Sequence, residues 1–225
     1  MKRLTPSFIT LLLVLSSAIA DAQDFKQAVS DFQKKYQSAE NLRIRMSIDA
    51  FISKSMKQPF YQEKVTISKR GTAYHNRLSA SEMVMNEKYI VVVDHSNKEI
   101  ALGNRDLRTE KEFYNQVQFD LDSTLKFYDE AKFVGIVSGV SHFSIVQKKG
   151  DIEKIDLFFK QETGDLKQIN YLYKSGNWVA ISIDEFNVSP TFENTEFDET
   201  QFLKKEGRSW RPTVALAGYK VLKTN

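Results

Sequence analysis

From Asn41 onward the sequence runs with a period of two: Leu42, Ile44, Met46, Ile48 and Ala50 alternate with Arg43, Arg45, Ser47 and Asp49. Such alternation makes a strand with one buried and one wet face. Similar stretches recur at 61–69, 72–78, 83–85, 89–94 and 99–102, and again at 133–137, 142–147, 152–160, 166–174 and 177–188. The turns between them, such as Asn86-Glu87-Lys88 and Ser175-Gly176-Asn177, are far shorter than a parallel crossover requires, so neighbouring strands pair antiparallel. The spacing predicts a mainly β chain, an antiparallel meander of about ten strands.

Two helical patterns accompany the meander. Phe25, Val29, Phe32 and Tyr36, at spacings of four, three and four, form one apolar stripe on an amphipathic helix. Phe113, Val117, Leu121, Leu125 and Tyr128 give a second helix-like stretch within 106–132. Residues 1–22 read as a secretory signal: Lys2 and Arg3, then an apolar run from Phe8 to Ala18, then small residues with cleavage expected near Ala22. The run is shorter than the roughly 20 residues that span a bilayer. The mature stretch, 23–225, reads as one domain with a C-terminal extension from about 204, where Trp210, Pro212, Val214, Leu216, Tyr219 and Val221 suggest an edge strand. A net charge of +3 and no basic run argue against nucleic acid as a partner. The chain has no cysteine, which excludes a disulfide framework, a thiolate metal site, a Cys nucleophile and a lipidated Cys anchor.

Catalytic patterns are sparse. Asp120-Leu121-Asp122-Ser123-Thr124 resembles the D-x-D-x-T motif of haloacid-dehalogenase-type phosphatases, which would make Asp120 a nucleophile and Asp122 an acid/base around magnesium. The context contradicts it: Asn115-Gln116-Val117-Gln118 is too polar for the buried parallel strand that must precede the motif, and the chain beyond reads β. Asp120 or Asp122 then caps a helix; a magnesium-dependent phosphatase is kept as a lesser alternative. His75, His95 and His142 lack zinc-ligand spacing, and Gly139-Val140-Ser141-His142 lacks the second glycine of a nucleophile elbow. The residues imply neither enzyme nor cofactor.

Three stretches carry a more specific likeness: Tyr36 to Leu42, where helix passes into strand; Val65 through Lys69-Arg70 and Met83-Val84-Met85 to Asp94, a strand, a corner and a hairpin; and Phe158 to Phe186, with Phe197 and Phe202 after it. With the order of signal, helix, meander, helical interruption and further strands, the chain resembles the LolA/LolB superfamily of periplasmic lipoprotein carriers. The resemblance implies an unclosed antiparallel β-barrel covered by the N-terminal helix and a central helical lid, with an apolar cavity for acyl chains. The lining expected on this basis is Leu42, Ile44, Met46, Ile48, Met83, Met85, Val91, Val93, Leu157, Phe159, Tyr171, Tyr173 and Ile181. It further implies a monomer with acylated lipoprotein or lipid as cargo, an inner-membrane donor complex and an outer-membrane acceptor. The missing cysteine favours the free carrier over the anchored acceptor. The family's lid-locking Arg, in a K-R-P corner, falls on Arg70 in Lys69-Arg70-Gly71, which read alone is equally a solvated corner residue. A lipid- or protein-binding sensory domain on the same scaffold is the alternative.

Overall fold

The structure is a computed structural model and describes residues 25–106 and 131–223. The expected signal sequence, the central helical stretch but for its ends, and Asp120 and Asp122 lie outside them. A helix, α1, covers 25–38. The strands are β1 Asn41–Phe51, β2 Tyr61–Arg70, β3 Ala73–Arg77, β4 Ser81–Met85, β5 Tyr89–Asp94, β6 Glu99–Asn104, β7 Ala131–Val137, β8 Val140–Val146, β9 Ile152–Lys160, β10 Leu166–Tyr173, β11 Trp178–Asn187, β12 Leu203–Glu206, β13 Ser209–Pro212 and β14 Lys220–Lys223. Twelve of them form one unclosed sheet in the order β14-β6-β5-β4-β3-β2-β1-β11-β10-β9-β8-β7, and β12 pairs with β13 apart from it. The described chain is thus mainly β with one helix. The sheet is larger than the ten or so strands expected from sequence.

The described residues fall into two compact units, with β1 and β11 each contributing to both. The first takes residues 25–37, 50–60 and 131–182. Here α1 buries Phe25, Val29 and Phe32, while Lys26, Gln27 and Lys34 face water. The fourth stripe residue, Tyr36, is half-buried. Phe25 packs on Phe143 of β8, ring centroids 5.2 Å apart. At the other end of the helix Lys35 Nζ donates to Asp165 Oδ1 at 2.9 Å and to the Thr163 carbonyl. The β7–β8 hairpin turns through Ser138 (φ 51°) and Gly139 (φ 74°), two left-handed residues that match the right-handed twist of the strands they join.

The second unit takes residues 38–49, 61–106 and 183–223. In register, His75 lies opposite Val84, Val84 opposite Val91, and Val91 opposite Leu102. These residues and the neighbouring pair Val93 and Ile100 are buried. Their cover comes from the C-terminal segment: Phe202 and Leu203 join the same cluster, and Trp210, Leu216, Tyr219 and Val221 pack against it. β14 runs parallel to β6, Val221 opposite Ile100, an exception to the all-antiparallel expectation. A parallel neighbour needs a long connection, which the chain after β11 supplies. The region from 204 onward is therefore part of this unit's core as well as its edge.

Candidate functional site

The first unit carries a continuous apolar face. One row crosses five strands, Phe133, Phe143, Leu157, Ile169 and Ile181, each directly opposite the next. A parallel row runs Ala131, Ile145, Ile155, Tyr171 and Val179. Directly paired residues share a face, so the two rows form one apolar surface, and Phe25 of α1 rests on Phe143 within it. The middle of the surface is closed, with Phe143, Ile145, Ile155, Leu157 and Ile169 all at 3% exposure or less. Its flanks are not: Phe133 on one side and Tyr171, Val179 and Ile181 on the other are half-buried. Apolar area beside a helix cover is thus still in reach of solvent.

Of the residues expected from sequence to line a cavity, Leu157 and Phe159 are closed into this core, while Tyr171 and Ile181 lie on its open flank. Tyr173 is half-buried and follows an irregularity in the β9–β10 register. In the second unit Leu42, Ile44 and Met46 are buried along one face of β1, and Ile48 is half-buried. The structure does not bring the other four together. Val84 pairs with Val91, whereas Met83 pairs with Val92 and Met85 with Ile90, so Met83 and Met85 lie on the face opposite Val91 and Val93. Phe133, Phe143 and Ile145 belong to the same face without having been named from sequence, although the alternation of Phe143 and Ile145 within 142–147 carried the signal.

Arg70 lies at the β2–β3 corner, where its guanidinium sits 4.7 Å from the centre of the Phe197 ring. The corner departs from K-R-P for a physical reason. Gly71 has φ 58°, outside the range of proline, and its N–H donates to the Glu40 carbonyl at 2.8 Å. Arg70 and Phe197 border a cavity of about 710 Å³ that is otherwise largely polar, with Glu40, Asn86, Lys88 and Glu199 in its walls. Asn86 donates to Glu199 at 2.6 Å, and Arg105 reaches the Asn86 carbonyl at 2.9 Å. Those groups suit water and ions better than an acyl chain. The lid that Arg70 was expected to lock lies outside the described residues.

A polar clamp joins the C-terminal segment to the second unit's sheet. Glu82 takes hydrogen bonds from Nε2 of His75 and Nε2 of His95, both at 3.1 Å. His95 Nδ1 lies 3.0 Å from the Tyr219 hydroxyl, and Arg77 donates to Glu196 at 3.1 Å. The bond from His75, then those from His95 and the charge of Arg77, outweigh burial and hold Glu82 below the usual carboxylate range. Among the described residues no three His, Cys, Asp or Glu side chains are placed to hold a metal ion.

No protein-family model and no curated protein sequence matches the chain. Among solved structures it is similar to an uncharacterized conserved protein from Thermus thermophilus, with 6% identity, TM-score 0.49, and coverage of 89% of this chain and 99% of that one. It is similar also to the lipoprotein LppX from Mycobacterium tuberculosis, with 7% identity, TM-score 0.45, and 74% and 97% covered. A third similar structure, at 8% identity and TM-score 0.33, covers 77% of this chain and 98% of its own. That third structure is a LolA superfamily protein from Nitrosomonas europaea.

Proposed function

We propose that the protein is a carrier of the bacterial envelope, one that shelters acyl chains of lipoproteins or a related amphiphile and passes them towards the outer membrane. The observation that carries this reading is the apolar face of the first unit, closed at its centre, where Phe25 of α1 packs on Phe143, and open along Tyr171, Val179 and Ile181. An acyl chain laid on that flank would gain about 0.8 kcal/mol for each methylene removed from water. A binding face left partly open also permits release, which a carrier needs as much as capture. In this reading the chain is exported, acts as a half-open barrel, and meets a donor at the inner membrane and an acceptor at the outer. Arg70 enters as a latch that exchanges its Phe197 contact for carbonyls of a helical lid. Arg70→Lys, which keeps the charge and loses the planar stacking surface, should then change cargo retention while costing no more than about 1 kcal/mol of stability.

The test is to purify the protein from the envelope without detergent and identify co-purifying lipids and acylated peptides by mass spectrometry. Acyl cargo in the native protein, depleted in Ile181→Asp, is the expected outcome. Repeated absence of cargo from well-folded protein would sink the carrier reading and leave a binding or sensory domain that transfers nothing.

A further inference from the structure

The loop between β1 and β2, residues 52–60, is closed at its root by the Phe60 N–H donating to the Ala50 carbonyl at 2.9 Å, and turned inside by Met56 N–H on the Ser53 carbonyl. This fixed loop exposes large apolar side chains: Ile52 at 58%, Met56 at 37% and Phe60 at 59%. The stretch 50–60 also holds Lys54 and Lys57 and no acidic residue. Loops in water ordinarily show polar groups; a pinned loop that shows aliphatic and aromatic groups between lysines is dressed for an interface.

Its surroundings have the same character. Phe51, at the root of the loop, stacks on Trp178 with centroids 4.4 Å apart, which sets the loop at the end of the first unit's sheet where β10 turns into β11. The β8–β9 turn lies at that end too, because Lys174 N–H donates to the Asp151 carbonyl at 2.9 Å. These two turns add Lys148, Lys149 and Lys174, all exposed, against Asp151 and Glu153. Between loop and sheet is a cavity of about 270 Å³ lined by Lys54, Asn170, Leu172, Trp178, Asp156 and Tyr171. The Trp178 indole N–H is buried and has no hydrogen-bond partner among the described residues. A buried donor without an acceptor is costly, and Lys54 and Asn170 add further N–H donors around the same cavity. Its one carboxylate, Asp156, is already engaged by His142 at 2.8 Å and Lys154 at 2.9 Å. Burial pushes Asp156 up, but Lys154, His142 and Ser144 together hold it below the ordinary range.

We infer that this end of the first unit docks on a membrane surface carrying anionic lipid: Ile52, Met56 and Phe60 enter the interface, the lysines meet lipid phosphates, and the Trp178 cavity receives a headgroup oxygen. Apolar side chains ringed by lysines, with few acids, are complementary to such a surface in both apolar depth and charge. The inference goes beyond the carrier reading and stands even if no cargo is found.

The test is flotation of the purified protein with protein-free vesicles of phosphatidylethanolamine with a quarter phosphatidylglycerol, against vesicles of phosphatidylcholine alone. The protein should float with the anionic vesicles and be released by salt. Lys54→Gln with Lys57→Gln should weaken partition by on the order of ten-fold or more, as expected for two lysines near a charged surface. Ile52→Ser and Phe60→Ser should each weaken it several-fold. All four positions face water, so an unchanged melting temperature shows that the fold survives. Emission of Phe60→Trp should shift to the blue when anionic vesicles are added. The inference is overturned if the protein does not float, if the lysine variant floats as well as wild type, if the Phe60→Trp emission does not move, or if only membranes that retain their own proteins capture it. The last outcome would assign the surface to a protein partner.

Discussion

Glu82 joins three cationic or ring donors to one carboxylate, with 23% of its side chain exposed. Its folded-state pKa lies below its ordinary value of 4.5, so its stabilisation is fully present above that value and is lost as pH falls through the depressed one. Glu82→Gln should lower stability by about 1–3 kcal/mol at pH 7, and the gap from wild type should close in acid; urea melts at both pH values read it directly. Gly71 offers a sharper case. Gly71→Pro would demand φ near −65° where the chain has 58° and would remove the N–H that Glu40 accepts. A loss of about 3 kcal/mol or more is expected, measured by the same melts. Ser138→Asn goes the other way: asparagine tolerates the left-handed conformation better than serine, so a rise of a few tenths of a kcal/mol, on the order of what turn residues contribute, should result.

Among the elements, α1 depends on its buried stripe. Phe32, 2% exposed, should cost about 3–5 kcal/mol when cut to alanine, seen as a lower midpoint in thermal unfolding. The stripe was legible because phenylalanines at a helical spacing amid Lys, Gln and Asp allow few other readings. The strands were legible for the same reason, up to the short β4. There Met83, Val84 and Met85 are all apolar, so a period of two cannot say which face each takes; only the turn at Asn86, whose Oδ1 accepts from the N–H groups of Lys88 and Tyr89, sets the pairing that parts the methionines from Val91 and Val93. The C-terminal cover was less legible still. Trp210 meets Tyr89 at 5.5 Å, a partner far away in sequence, and nothing in the local pattern announces it. Leu203→Ala, at a site with no exposure, should cost about 2–5 kcal/mol, comparable to a central strand residue despite its place after the last long strand.

At the scale of the molecule, most strand pairs are successive hairpins, which form early because their loops are short. The exceptions are the β1–β11 and β14–β6 neighbours, each joining distant parts of the chain. Within the second unit the first is fastened by Ser47 to Asp184 at 2.6 Å and by Arg45 to Glu185 at 3.2 Å. The apolar row across β7 to β11 was legible as alternation within each strand, but which residues of neighbouring strands would fall into one row was not. A row is a property of register, which the turns and bulges decide. The parallel strand β14 and the cover of Phe202, Leu203 and Trp210 have a temporal meaning as well. A ribosome delivers them after every strand they shield, so Val84, Val91, Val93, Ile100 and Leu102 stay wet until residues 202–223 have emerged. Synthesis then holds this half of the chain open and threadable to a late moment. A chain stopped after residue 201 should show it, with β3 to β6 cut readily by protease while the full-length protein resists.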